Sequence, residues 1–590
     1  MVNLKAKPYY LSDEDIAWVD ETIASMTAEE KVGQLFFQLT SGMEEAHLRE
    51  LMEKYHLGGC RYNNMPGQYV QMQNRILQSY AKVPVFIACN TETGGNGACS
   101  DGTYIAPGIK IGATGNVQYA HDLGRMSNEE AAALGCNMAF APVCDIHMNW
   151  ENTEVVARSF GNDHERVAAM SKAYLNGAHT IPGFACAAKH FPGNGLDFRD
   201  AHIGNNINDL TEEKWMETFG HVYKTLIDAD LDAVMGGHIM MREYMRAVKP
   251  DVRDDELLPA TLCPEIMTGL LRDKLGFNGM VVTDASHMVA MTDRMCRKEM
   301  LPAAINAGCD MFLFFNDPEE DFATMLHAYT SGVISEERME EALKRILGLK
   351  ARMGLHKKAK EALVPAAPVS DTVGKAEYKA AAGAISRDAL TLVKYKDADV
   401  LPLTPEKYKR IMIVYVKGAA GAMDALVQMA MGAAGARKNP AEELQERLIA
   451  KGFDAFIYES PIEKMKKQIA AGEKPSLNLY FAGKNAISDF VAGQDLVLTV
   501  FDVANGRPSF GLSKGGGEIP WYVFELPVVG VSVNAPTMLA DVPQLRTYIN
   551  AYDSKPDTLD ALVEALTTGA EAFTGKDPID SFCGLWDARI

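Results

Sequence analysis

Eight short runs of β-branched, aromatic and small apolar residues punctuate the first 350 residues, each followed by a longer stretch with helical periodicity. The runs are Leu35 to Leu39, Gly58 to Arg61, Pro84 to Cys89, Met138 to Pro142, Phe184 to Lys189, Ala233 to Gly237, Met280 to Asp284 and Met311 to Phe315. Near-continuous apolar runs of this length, alternating with helices, are the pattern of parallel strands covered on both faces. Eight such units predict an α/β fold, a (β/α)8 TIM-type barrel with insertions in its longer loops, and a doubly wound sheet is the structural rival. The polar residues favour the barrel, where chemistry gathers on the loops that leave the C-terminal ends of the strands. Asn90 and Glu92 follow the third run, Asp145 and His147 the fourth, Lys189 and His190 end the fifth, His238 follows the sixth and Asp284 ends the seventh. Polar residues flank strands in any protein. Their recurrence at one kind of strand end is what argues for a site.

A chain of 590 residues exceeds what one core usually supports. The barrel is expected over residues 1–360, a linker over 361–372 with two prolines, and a smaller αβα sandwich over 373–590. Strand candidates in the second part are Ile411 to Val416, Ala455 to Tyr458, Leu496 to Phe501 and Val528 to Val533. Two glycine-rich stretches, Gly418 to Gly435 and Gly511 to Gly517, contain neither GxxxxGK[ST] nor GxGxxG, so nucleotide binding has no support there. They read as connections, although Lys514 to Glu518 could reach toward the barrel mouth.

Composition excludes several classes of partner. With 58 Lys and Arg against 78 Asp and Glu, the formal net charge is −20, which argues against nucleic acid and anionic membranes. The first residues carry no apolar run and no 18-residue uncharged stretch follows, so the expectation is a cytoplasmic protein. Ten cysteines in mostly apolar contexts, without a CxxC pair, read as buried thiols rather than as disulfides or a structural zinc site.

Two stretches carry recognisable chemistry. Lys189-His190-Phe191-Pro192-Gly193-Asn194-Gly195 continues to Asp200-Ala201-His202, and its proline and glycines stop the fifth strand from passing straight into a helix. In an Asp-x-His pair the carboxylate fixes one imidazole nitrogen while the other faces substrate, the arrangement of an acid/base group. The run Gly279 to Asp284 ends a buried-type strand in a carboxylate that could attack an electrophilic carbon. Taken singly, an Asp-x-His arises by chance and an aspartate after a strand serves equally as a helix cap.

Together these stretches closely resemble glycoside hydrolase family 3, in particular its β-N-acetylhexosaminidase branch. Phe140 to Ile146, Arg158-Ser159-Phe160-Gly161-Asn162-Asp163, Lys189 to Gly193 with the Asp-x-His, Gly237-His238-Ile239, Pro259 to Leu262 and Gly276 to Gly279 leading to Asp284 occur in family order. The resemblance runs from about Met26 to Leu355. It implies an exo-acting retaining hydrolase that releases terminal β-linked N-acetylhexosamine, foremost N-acetylglucosamine, by double displacement, with no cofactor and no metal. By the same resemblance Asp284 is the nucleophile, and His202, oriented by Asp200, is the acid/base in place of the second carboxylic acid of most retaining glycosidases. Arg158, Lys189 and His190 match positions that hold sugar hydroxyls. His238 and Asp145 match further pocket positions, and Glu92 an acidic one. Three positions depart from the pattern: Asn90 stands where relatives often carry Asp, which leaves the gluco or galacto preference open, Asn194 replaces His or Asp, and Ala201 replaces Ser or Thr.

Within the family, a histidine acid/base leaves phosphorolysis open, because phosphate meets less repulsion without a second carboxylate. A β-glucosidase taking its acid from the second domain, for instance Glu518, is a further alternative. A metal-dependent amidohydrolase would need a His-x-His after the first strand, where Leu35 to Gly42 offers no ligand. A catalytically silent sugar-binding protein would not need Asp284 and His202 together. The expected partner is a small oligosaccharide or glycoside, and the expected assembly a monomer or homodimer.

Overall fold

In the computed structural model, which describes residues 2–397, 399–418, 438–459, 461–474, 487–503, 520–581 and 584, each of the eight apolar runs forms a strand. They are β1 (Phe36–Thr40), β2 (Gly59–Tyr62), β3 (Phe86–Cys89), β4 (Met138–Ala139), β5 (Ala185–Phe191), β6 (Ala233–Gly236), β7 (Met280–Ala285) and β8 (Met311–Leu313). Every neighbouring pair is parallel, and the sheet closes as β1-β8-β7-β6-β5-β4-β3-β2, with Phe36 opposite Phe312 at the seam. This is the eight-stranded barrel that the alternation predicted. Strand β4 stops at Ala139, short of the expected Pro142, a residue that has no N–H to give a ladder. Phe37 packs on Phe86 and Phe140 with ring centroids 6.0 and 5.4 Å away.

Buried charges at the N-terminal ends of the strands are structural. Asp310, immediately before β8, accepts from Arg272 Nη2 at 2.8 Å, Arg338 Nη2 at 2.7 Å and the Val281 N–H at 2.9 Å. Asp232, before β6, accepts from the Cys186 N–H at 2.9 Å, pairs with His179 at 2.8 Å, and also pairs with Arg352. These carboxylates satisfy N–H groups of neighbouring strands at the pole of the barrel away from the C-terminal loops.

Two compact units divide the chain: residues 1–108 with 116–381, and residues 109–115 with 382–590. Residues 361–372 lie within the first unit, where Gln71 Nε2 and Arg75 Nη2 donate to the Ala367 and Pro365 carbonyls. The second unit contains a six-stranded mixed sheet. Its strands are β9 (Thr391–Tyr395), β10 (Arg410–Lys417), β11 (Asp454–Ile457), β12 (Leu496–Asp502), β13 (Val528–Ser532) and β14 (Thr547–Asn550), in the order β9-β14-β13-β12-β10-β11. Only the edge strand β9 is antiparallel. Strands β9 and β14 were not anticipated from the sequence. The helices Pro440–Ala450 and Pro556–Thr568 contribute Leu444, Leu448, Leu559 and Leu562 to a core on one face, and Tyr522, Met538 and Leu545 help to cover the other. Residues 419–435 and 511–517 of the glycine-rich stretches, and Glu518, lie outside the described residues. The nine described cysteines are free thiols, and eight of them are buried. Among the described residues no helix is long and apolar enough to cross a membrane.

Candidate active site

The candidate site residues lie at or beyond the C-terminal ends of barrel strands: Asn90 and Glu92 after β3, Asp145, His147 and Arg158 after β4, Lys189 and His190 on β5, Asp200 and His202 on the loop after it, His238 after β6 and Asp284 on β7. The loop after β5 owes its course to its glycines. Gly193 (φ 118°) and Gly195 (φ 115°) take backbone conformations that side chains rarely adopt, and a Cβ on Gly195 would meet the Ile146 carbonyl. Trp215 Nε1 and Asn208 Nδ2 anchor the loop by donating to the Pro192 and Gly193 carbonyls at 2.7 and 3.0 Å.

Carboxylates hold the cationic side chains in place. Arg158 binds Glu92 through two hydrogen bonds, of 2.9 Å from Nε and 3.0 Å from Nη2, and Lys189 Nζ reaches the same carboxylate at 2.6 Å. Burial works to raise the Glu92 pKa, but the Arg158 and Lys189 charges outweigh it and hold the carboxyl well below the usual range. Burial draws the Lys189 ammonium down in spite of Glu92. Asp145 Oδ2 lies 2.6 Å from His190 Nδ1, and its Oδ1 accepts from the His190 and Asn194 N–H groups at 3.1 and 2.8 Å. A carboxylate fixes the hydrogen on Nδ1, so the other face of His190 is turned to the site: Nε2 is 3.3 Å from Arg158 Nη2 and 3.9 Å from Asp284 Oδ2.

Asp284 Oδ1 accepts the Ala285 N–H at 2.7 Å. Burial would raise its pKa, but His190, that N–H and Lys189 together bring it below the ordinary carboxylate value. The charged form of the aspartate is thereby favoured, and its Oδ2 is turned toward His190. His238 is clamped beneath it. Its Nε2 is 3.1 Å from the Ala285 carbonyl, which can only accept, and its Nδ1 is 2.8 Å from Thr261 Oγ1. Burial pushes the His238 pKa down, which suits a neutral ring with those two partners.

The Asp-x-His pair forms as expected from its spacing. Asp200 Oδ1 accepts from the His202 N–H at 2.8 Å and lies 2.7 Å from its Nδ1, while 53% of the His202 side chain is exposed. The hydrogen bond to Asp200, opposed by partial burial and supported by the fields of Asp200, Glu154 and Asp284, raises the His202 pKa. Its loop is tied to the segment after Asp284 by Val289 and Ala290 N–H groups, which donate to the His202 and Ala201 carbonyls at 3.3 and 3.2 Å. Ala201 packs there against Met288 and Ala290.

Residues 27–349 match the glycosyl hydrolase family 3 N-terminal domain. The chain is also 36% identical, over the full length of both proteins, to a β-N-acetylglucosaminidase/β-glucosidase of Cellulomonas fimi. It belongs to glycoside hydrolase family 3. Further similarity is to β-hexosaminidase A of Pseudoalteromonas piscicida, 26% identical over 60% of this chain and 62% of that one. Among solved structures, β-glucoside phosphorylase BglX superposes with a TM-score of 0.87 at 33% identity and covers 99% of both chains. A family 3 β-N-acetylglucosaminidase of Paenibacillus sp. str. FPU-7 shares the fold at a TM-score of 0.76 and 24% identity, covering 95% of this chain and 100% of its own.

Two participants in this family 3 site escaped the sequence reading. Thr261 lies within a segment quoted for the resemblance, yet nothing local indicates that its hydroxyl meets His238. Glu154 belongs to no motif, and its carboxylate reaches Asn194, Ala201, Arg158 and His202. Among the described residues, Glu154, Asp200 and His202 are the only three potential metal ligands that converge within 4.8 Å. The Asp200–His202 hydrogen bond and the nearby Glu154 carboxylate, 3.9 Å from His202 Nδ1, already account for that convergence. Among the described residues Asn90 Oδ1 is a buried acceptor without a partner, as fits a group that faces a hydroxylated ligand.

Proposed function

We propose that this family 3 glycosidase is a retaining, exo-acting enzyme for terminal β-linked N-acetylglucosamine, with β-glucosides as its second substrate class. The observation that carries the reading is the Asp284 carboxylate, 3.9 Å from His190 Nε2, on a strand whose following segment is hydrogen-bonded to the loop of the Asp200–His202 pair. In the first step an Asp284 carboxylate oxygen forms a bond to the anomeric carbon as the bond to the leaving oxygen breaks, and His202 Nε2 gives that oxygen its proton. In the second, water attacks the same carbon, loses a proton to His202 Nε2, and the ester to Asp284 breaks, restoring both groups. Arg158, Lys189 and His190 orient the sugar, with Glu92 and Asp145 holding them, and Asn90 offers an acceptor to a ring hydroxyl.

The sugar is supported by the names of the Cellulomonas and Pseudoalteromonas relatives and by the branch whose Asp-x-His this chain carries. A second reading, phosphorolysis, is favoured by the name of its 33% identical structural relative and by the use of a histidine where a second carboxylic acid would repel phosphate. Aryl β-N-acetylglucosaminide, β-N-acetylgalactosaminide and β-glucoside, each with and without inorganic phosphate, test the reading. It predicts fastest release from the N-acetylglucosaminide with a β-configured first product, and loss of at least about a thousandfold in Asp284→Ala. Sugar 1-phosphate as the main product would select phosphorolysis, and near wild-type activity in Asp284→Ala would defeat both.

A further inference from the structure

Glu154 stands on the loop between β4 and the helix His164–Ala178, with only 5% of its side chain exposed. A carboxylate so enclosed has to be paired. Its Oε2 accepts from Asn194 Nδ2 at 2.8 Å and from the Ala201 N–H at 3.3 Å, while its Oε1 is 3.9 Å from both Arg158 Nη1 and His202 Nδ1. Asn194 is fixed in the orientation this requires, because Asn152 Nδ2 and Asn206 Nδ2 both donate to its Oδ1, at 3.0 and 3.2 Å. Its amide hydrogens are thereby left for Glu154. Asn194 and Ala201, two of the three departures from the family pattern, thus meet at one buried carboxylate.

We infer that Glu154 is a positioning residue for the acid/base histidine, coupling the Asp200–His202 loop to the sugar-holding Arg158. The inference rests on the proposed role of His202. That loop has little packing of its own: His202 is half exposed and Ile203 is 79% exposed, so the buried Ala201 is its anchor. Ala201 is held at its carbonyl by Ala290 and at its N–H by Glu154. Arg158 already spends its strongest contacts on Glu92, which leaves the Glu154 charge acting on the His202 ring from the side of Nδ1 that Asp200 occupies. The ionisable groups that act on His202 are Asp200 on its own loop, Glu154 after β4 and Asp284 on β7, with His238 after β6 also in electrostatic reach. Two carboxylates on one nitrogen favour the protonated ring that the first step needs.

Glu154→Gln keeps the shape and one acceptor oxygen but removes the charge, whereas Glu154→Ala removes the tether as well. kcat/KM is followed against pH with an alkyl β-glycoside, whose departure needs a proton, and with a dinitrophenyl β-glycoside, whose departure does not. For Glu154→Gln the alkaline limb on the alkyl substrate should move to lower pH by about half a unit to one unit, the size of a unit charge near 4 Å seen largely through water. For Glu154→Ala, kcat/KM should fall about 10- to 100-fold on the alkyl substrate and less than about threefold on the dinitrophenyl one. An unmoved limb in a folded Glu154→Gln enzyme, or equal losses on both substrates in Glu154→Ala, overturns the inference. If Glu154→Ala does not fold, the limb in Glu154→Gln decides alone. His202→Ala is measured alongside: should it fail to discriminate between the two leaving groups, the acid/base reading falls rather than the role of Glu154.

Discussion

Glu92 is the keystone of the cationic side of the pocket, and Glu92→Gln is the perturbation whose consequences can be worked out most fully. Its carboxylate receives two hydrogen bonds from Arg158, at 2.9 and 3.0 Å, and one contact of 2.6 Å from the buried Lys189. The glutamine fills the same space and loses the charge, so two neighbouring cations face one another with Glu154, Asp145 and Asp284 as remaining counter-charges. Removing one member of a buried ion pair costs about 3–5 kcal/mol, most of it the penalty of the charge left unpaired. Unfolding entropy of about 2.1 cal/mol/K per residue gives about 0.7 kcal/mol/K for a unit of roughly 350 residues, so the melting temperature of the barrel should fall by about 4–7 °C. The sign of the pH dependence follows from the direction of the Glu92 shift. A carboxyl held below its unfolded value contributes stability that is fully present above about pH 4.3 and is lost as pH falls further, toward the folded value. The wild-type advantage should therefore be level from about pH 8 to pH 5 and shrink only in more acidic buffer. Scanning calorimetry of both proteins across that range is the assay. Equal melting temperatures at pH 7, or an advantage that grows on acidification, would refute the reasoning.

Two further substitutions probe residues that local sequence does not reveal. Thr261→Val removes the hydroxyl that meets His238 Nδ1 and leaves a buried acceptor unpaired, so kcat should fall about tenfold with KM little changed. In the second unit, the buried Lys110 Nζ is 2.9 Å from Asp553 and within hydrogen-bonding distance of Ser386 and Thr558. Lys110→Met should destabilise that unit by about 3–5 kcal/mol, read as a lowered midpoint of its own calorimetric transition, with no such change in the barrel transition.

The barrel was readable from the sequence because its strands are covered on both faces, so each is a dense apolar run, as in Ala185–Phe191, where all seven residues are buried. The edge strand β9 in the second unit escaped because it is only half buried and its run Thr-Leu-Val-Lys-Tyr carries a lysine. Within the site, the Asp200–His202 contact was legible because it is local: a carboxylate two residues upstream reaches both the N–H and the ring. Asp284 was legible from its place at the end of a strand. The Glu92, Arg158 and Lys189 cluster was named residue by residue, yet its internal pairing was not, since three separate strand ends must converge before Glu92 can become their common counter-ion. Glu154 left no trace in the sequence because the groups that hydrogen-bond its carboxylate, Asn194 and Ala201, lie 40 and 47 residues away and meet it only when the loops after β4 and β5 come together. The charges of Asp232 and Asp310 were equally silent, being spent on strand N–H groups at the opposite pole.

The central claim is that Asp284 carries the sugar between the two steps. The most direct measurement is mass-spectrometric peptide mapping after reaction with a slowly hydrolysed fluorinated analogue of the β-glycoside cleaved best. An adduct of one glycosyl unit on Asp284, absent in Asp284→Ala, is the predicted result. An adduct on Glu92, Glu154 or Asp200 would contradict it.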